Sequence, residues 1–490
     1  MAVVIAGDRS GVGKTTVTLA LLAALRQWGS VQSFKVGPDY IDPMFHSYVT
    51  GRSCRNLDPV LTSEAYVQQC FSQQTQTVDY ALVEGVMGLF DGAGASDWAS
   101  TAHIARLIDL PILLVLDCSR MARSIAALVH GFRSFDPTLR FAGVVLNRVG
   151  SDRHLELLQA SLEPLNLPIL GVLRRQAEIT IPDRHLGLVP TDELPQMQDL
   201  LNRLGTLGRE GFDWEKLLPL IEAGKGIGPQ ANRPLNPSIL GDFEMQRVEI
   251  RSSSIHSFMT TKAQTDRLRV SPGENRPRIA VARDRAFSFY YADNLDLLET
   301  LGAELVDWSP LVDSELPTGV NGLYFGGGFP EVFAAELEAN SQAQASVRSA
   351  ILAGMPTYAE CGGLMYLSQG IVDFEGQSWQ MVGILPTIAQ MGKRLTLGYR
   401  QAIALQDSPL LPQQTMVWGH EFHRSTLTQP PVPPLYQIRG YDATSSVSTE
   451  GWRLHQVHAS YVHLHWGGDR RIPFNFLRAC GQFEQGNGSL

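Results

Sequence analysis

Cysteine is scarce in this chain and shows no pairing pattern: there are five, an odd number, scattered from Cys54 to Cys480. That excludes a secreted disulfide scaffold and leads us to expect a reduced, cytoplasmic protein. No C-x-x-C pair occurs, which removes the usual structural zinc motifs. Positive charge is also short. Lys and Arg total 40 against 49 Asp and Glu, a net charge of −9, which argues against a general nucleic-acid binder. No apolar run approaches a membrane span, so no membrane partner is expected, and no internal repeat is visible. The apolar start, Met1-Ala2-Val3-Val4-Ile5-Ala6-Gly7, lacks the basic region and the length of a signal peptide and reads as a buried first strand.

Apolar material, by contrast, is plentiful: 44% of 490 residues, enough for large cores. Residues 3–6, 81–83, 112–116, 143–146 and 169–173 are short Val/Ile/Leu runs without alternation, the mark of buried parallel strands. Helical patterns, such as 15–28 and 119–134, lie between them, giving a doubly wound α/β reading. Gly, Pro, Asn and Ser cluster from 224, and 251–277 is polar and Ser/Thr-rich. The expected layout is a domain over 1–223, a linker over 224–277, a second α/β domain over 278–482 and a polar tail over 483–490.

Two chemical motifs stand at opposite ends. Ser10-Gly11-Val12-Gly13-Lys14-Thr15-Thr16 follows a strand and opens a helix. The strict phosphate-loop pattern wants glycine at position 8; that residue is Asp8, and the glycine is Gly7. The physics still holds. Backbone N–H groups around Gly11 and Gly13 and the helix start at Lys14, Thr15 and Thr16 suit ATP phosphates, and the Thr15 hydroxyl suits Mg²⁺. The plainer alternative is a Gly-rich turn with a surface lysine. Glu84 ends a buried strand, Asp91 follows it, and Asp39 and Asp42 follow another. Acids at the C-terminal ends of parallel strands face the site crevice, although solvated loop acids would look the same. Asn147 ends a strand where it would meet a purine edge or cap a loop.

In the second half, Pro356-Thr357-Tyr358-Ala359-Glu360-Cys361-Gly362-Gly363 places Cys361 on a strand-to-helix turn. Such a turn exposes the sulfur, and a helix start favours the thiolate nucleophile. Tyr461-Val462-His463-Leu464-His465-Trp466 offers two histidines on one face of a strand as base and support. Structural histidines, or a metal site for which no matching carboxylate cluster is seen, are the alternatives. Gly326, Gly327 and Gly328 follow a buried strand and, with the N–H of Gly362, would form an oxyanion hole; a plain turn is the alternative.

Taken in order, these segments resemble the cobyrinic acid a,c-diamide synthase family. The matching segments are 6–16, 35–43, 84–91, 185–190, 282–291, 326–330, 359–363, 419–423 and 460–466. The resemblance implies a dethiobiotin-synthetase-like phosphate-loop fold in the first half. It implies a class I glutamine amidotransferase fold in the second. Cys361 would release ammonia from L-glutamine through a thioester, with His463 raising its nucleophilicity. ATP would convert the a and c carboxylates of cobyrinate to acyl phosphates that ammonia traps. Asp39, Asp42, Glu84 and Asp91 match acidic positions tied to metal binding and substrate activation, and a homodimer is compatible. Class I members usually carry a glutamate two residues after the histidine. Here that residue is His465, so either the third triad member is missing, or His465 or a distant carboxylate orients the ring. The same build would serve hydrogenobyrinate or a nickel sirohydrochlorin. Cobyric acid synthases differ by reading Y-x-H-G where Leu464 follows His463. A phosphate-loop switch ATPase with an inert cysteine is the reading from a different class, and a cysteine protease would have no use for the phosphate loop.

Overall fold

The computed structural model describes residues 2–175, 183–184, 187–188, 197–223, 276–442 and 444–487. Seven strands form a parallel sheet in the first half: β1 (Val3–Gly7), β2 (Val31–Val36), β3 (Arg55–Leu57), β4 (Tyr80–Glu84), β5 (Ile112–Asp117), β6 (Phe141–Val149) and β7 (Ile169–Arg174). Their order is β3-β2-β4-β1-β5-β6-β7. Strands β1, β2 and β5 are buried at every residue, as continuous apolar runs in a sheet covered on both faces must be. The strand order reverses at β1, so a crevice opens beyond its C-terminal end, where residues 8–13 lead into α1 (Lys14–Leu25).

The second sheet begins as five parallel strands in the order Glu304–Trp308, Arg278–Ala282, Gly322–Phe325, Thr357–Glu360 and Val457–Ser460. Antiparallel strands extend it, including the long Leu385–Ala404 and Met416–Leu427. Helix Arg471–Asn487 carries the domain beyond residue 482, where the sequence placed its end. Of the expected linker, residues 224–275 lie outside the described residues, as do 185, 186, 189 and 190 of the segment 185–190. Among the described residues no helix is long and apolar enough to cross a membrane.

The two sheets are joined by polar and aromatic contacts. Tyr66 donates to Asp293 Oδ1 at 2.9 Å, Arg55 pairs with Asp296 at 2.6 Å, and Tyr399 donates to Asp58 Oδ2 at 2.9 Å. Tyr40 of the first half is packed in one apolar cluster with Phe289, Tyr291 and Phe329 of the second. Aromatic pairs of this kind contribute about 0.5–1.5 kcal/mol each beyond their buried area.

Candidate active site

The phosphate loop is built by steric need. Gly13 has φ 98°, and a β-carbon there would lie 2.2 Å from the Asn147 amide nitrogen, so only glycine fits. Asn147 in turn donates to Val12 O at 2.8 Å and accepts from Arg148 N–H at 2.9 Å. Its amide nitrogen thus braces the phosphate loop, the loop-capping role that stood as the alternative to a purine contact. Asp8, which replaces the pattern's glycine, pairs with Arg9 at 2.5 Å; Arg9 also lies 3.7 Å from Asp117, which Arg148 holds at 2.6 Å. The departure from the strict motif is thus absorbed into a charge network. Lys14 Nζ donates to Arg9 O at 3.2 Å and to Met87 O, so its amine sits over the loop. Burial, followed by the charge on Lys35, holds the Lys14 pKa below the ordinary lysine value. Thr16 continues the first turn of α1.

Thr15 reaches the acids. Its hydroxyl donates to Glu84 Oε1 at 2.8 Å and lies 3.3 Å from Asp42 Oδ2. Lys35, buried at the end of β2, is the hub of the group: its ammonium stands 2.5 Å from Asp42, 3.1 Å from Glu84 and 3.6 Å from Asp39. Burial opposes the Lys35 charge, but Asp42, Glu84 and Asp39 outweigh it and hold its pKa well above the usual value. Burial also opposes the Glu84 charge, but Lys35, His46 and Thr15 hold that carboxyl well below the ordinary range. Asp39 caps the next helix, α2 (Ile41–Thr50), accepting from Ile41 N–H at 2.9 Å. Asp91 accepts from Gly88 N–H at 2.8 Å and shapes the turn after β4, which Leu89 N–H ties to Gly7 O at 2.8 Å. The structure therefore joins Thr15, Asp39, Asp42 and Glu84, whereas Asp91 is used to form the wall above the phosphate loop.

The thiol end is different in kind. Cys361 has φ 47° and ψ −100°, a conformation that costs a non-glycine residue on the order of 1–3 kcal/mol. Register holds it there: Cys361 N–H donates to Ser460 O at 2.8 Å, and Gly363 N–H to Gly326 O at 3.1 Å. The sulfur is not exposed as the turn suggested, because Cys361 is only 5% accessible. Burial, followed by the Glu331 charge, pushes the thiol pKa up, while the Gly362 N–H pulls the other way. The thiolate expected from the helix start is therefore not the resting form. The helix Gly362–Leu367 has only six residues, too little dipole to offset burial.

His463 lies over the glycine loop; a β-carbon on Gly327 would come within 2.6 Å of its Cε1. The Gly327 N–H is engaged with Phe289 O at 3.2 Å, so Gly327 is not an oxyanion donor as the sequence implied. Gly328 and Gly362 are the donors left beside the thiol, and a β-carbon on Gly362 would meet Gly328 N at 3.0 Å. Gly328 has to be glycine, since a β-carbon there would strike Ala286 O at 2.1 Å. His463 Nδ1 lies 3.5 Å from Glu360 Oε2. Glu360 Oε1 is itself fixed by the Tyr358 hydroxyl and by Leu464 N–H at 3.1 Å.

The two histidines do not share a face. The strand is only His463–Leu464, and His465 begins a 3-10 turn, accepting from Gly467 N–H at 3.2 Å. Its ring faces Tyr291 and Tyr66, with Nε2 3.8 Å from Asp293. His465 is thus part of the contact between the halves and does not support the cysteine.

Sequence reasoning missed Lys35 and Glu360 as site residues. Both stand inside motifs that were singled out, next to residues chosen for their chemistry. The usable signal was position: Glu360 is the last residue of a buried parallel strand and Lys35 the last but one of β2.

Residues 3–189 match the model of the CobQ/CobB/MinD/ParA nucleotide binding domain, and 278–471 match the CobB/CobQ-like glutamine amidotransferase domain. The chain is 58% identical over 484 residues to the cobyrinate a,c-diamide synthase of Synechococcus sp., covering 98% of this chain and 99% of that one. It is 51% identical to the cobyrinate a,c-diamide synthase of Synechocystis sp., covering 99% and 94%. It is 42% identical to the hydrogenobyrinate a,c-diamide synthase of Streptomyces coelicolor, covering 97% of each. With both domains matched in order and these identities holding over the full length, the chain belongs to the a,c-diamide synthase family of glutamine-dependent amidating ligases.

Proposed function

We propose that the protein converts two side-chain carboxylates of cobyrinate to amides, using ATP and ammonia drawn from L-glutamine. The observation that carries this reading is the setting of Cys361. A buried thiol on a strained strand-to-helix turn adjoins the glycine loop against which His463 packs, and Glu360, the residue before the thiol, faces the His463 ring. Because the thiol rests neutral, His463 must take its proton as sulfur attacks the glutamine amide carbon. Gly328 and Gly362 N–H groups stabilise the oxyanion. The proton passes to the departing nitrogen, ammonia leaves, and water hydrolyses the thioester to glutamate.

At the other end, Lys14 and the loop N–H groups position the ATP phosphates. A substrate carboxylate oxygen attacks the γ-phosphorus, giving an acyl phosphate and ADP; ammonia then displaces phosphate and leaves the amide. Lys35 neutralises charge where the carboxylate and phosphoryl oxygens meet. Oxygen atoms of Thr15, Glu84 and Asp42 lie together, a hard donor set that fits Mg²⁺, with Asp39 beside it. When bound, that ion would offset phosphate charge.

The identity to relatives named for cobyrinate favours that acceptor over hydrogenobyrinate. Incubation with ATP, Mg²⁺, glutamine and either corrin, followed by mass spectrometry, tests it. Two successive carboxylate-to-amide steps on cobyrinate are expected. Glutamate release that persists unchanged in Cys361→Ala would overturn the mechanism.

A further inference from the structure

His46 takes no part in the reactions above, yet it is fully buried and touches the acid cluster directly. It lies one turn beyond Asp42 on α2, so the two side chains share a face of that helix. Asp42 meets Lys35 at 2.5 Å, and His46 Nε2 meets Glu84 Oε2 at 2.7 Å. The other Glu84 oxygen, Oε1, accepts from the Thr15 hydroxyl at 2.8 Å and from Lys35 at 3.1 Å. The carboxylate is thus divided: Oε1 belongs to the site and Oε2 to His46. The ring is itself held from behind. Cys54 Sγ lies 3.4 Å from His46 Nδ1, and Cys54 N–H donates to Ser47 Oγ at 2.9 Å, which ties the loop after α2 back to the helix. An ionised carboxylate can only accept, so Nε2 carries a proton, and in the neutral ring Nδ1 is left to accept from the Cys54 thiol.

We infer that His46 is a positioning residue: by anchoring Glu84 Oε2 it keeps Oε1 turned toward Thr15, and so sets how tightly the site takes Mg²⁺ together with ATP. The inference rests on the function proposed above. Glu84 ends β4 with its backbone fixed in the sheet, which leaves rotation of its side chain as the freedom to be removed. Thr15 and Lys35 both approach Oε1, on the side where phosphate and cation arrive, and their bonds must change when those groups bind. His46 holds the far oxygen and need not move, because its ring is wedged between Glu84 and Cys54. Hydrogen-bond partners behind a metal-binding carboxylate typically matter by about 10–100-fold in metal affinity or activity.

The test uses the full chain and two measurements. The first is calorimetric binding of ATP over a range of Mg²⁺ concentrations, with no corrin or glutamine, so that nothing turns over. The second is amidation of cobyrinate driven by ammonium chloride over the same range. In His46→Leu the Mg²⁺ concentration giving half of full ATP binding should rise about 10–100-fold. The half-saturating Mg²⁺ for amidation should rise with it, and kcat should recover at high Mg²⁺, a split that general loss of structure would not give. His46→Gln, whose amide can donate to Glu84 from nearly the same place, should stay close to wild type in both. If His46→Leu does not fold, His46→Asn, whose shorter amide falls short of Glu84, decides. Wild-type Mg²⁺ dependence in the Leu or Asn variant, or a loss of kcat that Mg²⁺ does not restore, overturns the role of His46 while leaving the proposed function intact. Failure of the wild type to amidate cobyrinate with ammonium and ATP would instead overturn the proposed function.

Discussion

The acid–lysine cluster and the thiol site occupy equivalent places, each at the C-terminal end of a parallel strand that turns into a loop or helix. Their chemistry is opposite. Around Lys35 charge is paired: Lys35 is held well above the ordinary lysine value and Glu84 well below the ordinary carboxyl range, while burial pushes the Asp42 carboxyl beside them up to about 7. Around Cys361 burial works against charge on the sulfur and on the ring beside the base: it pushes the thiol up and lowers the pKa of His420, the cross-strand partner of His463, to about 3, while the charge that remains there is the Arg400–Glu421 pair at 2.5 Å. One site must receive charge that arrives with phosphate and carboxylate. The other must create charge on sulfur only when substrate is present. A buried neutral thiol with a poised base meets that need and limits stray oxidation.

Removing the nucleophile gives the sharpest break between the two. Cys361→Ala is expected to lower glutamate release by about a thousandfold or more. Ammonium-driven amidation should stay near wild type; if it falls equally, the sites are not separable. Lys35→Met breaks the other side. It leaves Asp42 and Glu84 buried without their cation, a loss on the order of 3–5 kcal/mol, read by urea denaturation. Both nitrogen sources should then fail to support amidation. An unchanged urea midpoint would show that solvent replaces Lys35.

Glu360→Gln tests the residue behind the histidine. Glutamine keeps an oxygen for Tyr358 and Leu464 N–H but loses the carboxylate facing His463 Nδ1. Glutaminase turnover should fall about 100-fold with ammonium-driven amidation intact. His465→Asn, altered in the contact between the halves, should leave glutaminase turnover near wild type. The reverse outcome would restore His465 as the orienting group.

The sequence made the fold largely legible because both sheets begin with buried parallel strands, whose uninterrupted apolar runs need no tertiary information to read. The phosphate loop, the acids and Cys361 were legible for a related reason: strand–loop–helix junctions put chemistry in one predictable place. What could not be read was distance across the fold. His465 lies two residues from His463, yet a turn after Leu464 sends its ring to Tyr66 and Asp293. Glu360 lies far from His463 in sequence, yet pairing of Thr357–Glu360 with Val457–Ser460 brings them together. Asn147 lies inside β6, which runs on to Val149, and its partner, the Gly13 turn, exists only once the loop is folded.

The smallest effect probes how far the neutral character of the thiol side extends. Glu450 accepts from Ser460 Oγ and from Tyr461 N–H at 3.1 Å, just before the histidine. Burial, then the Glu421 charge, push its pKa up to about 8 from 4.5. The folded state thus binds this proton more tightly than the unfolded chain does. Its contribution to stability is complete below the unfolded value of 4.5 and is lost as pH rises through about 8. Glu450→Gln is neutral at every pH and keeps an acceptor oxygen for the same two donors. The variant and the wild type should therefore have similar urea midpoints in mild acid, and the variant should be the more stable one in mild base. The gap should open with pH by at most about 1.4 kcal/mol per unit. Parallel pH profiles would mean that Glu450 is ionised like Glu84, and the contrast between the two sites would then stop at the thiol itself.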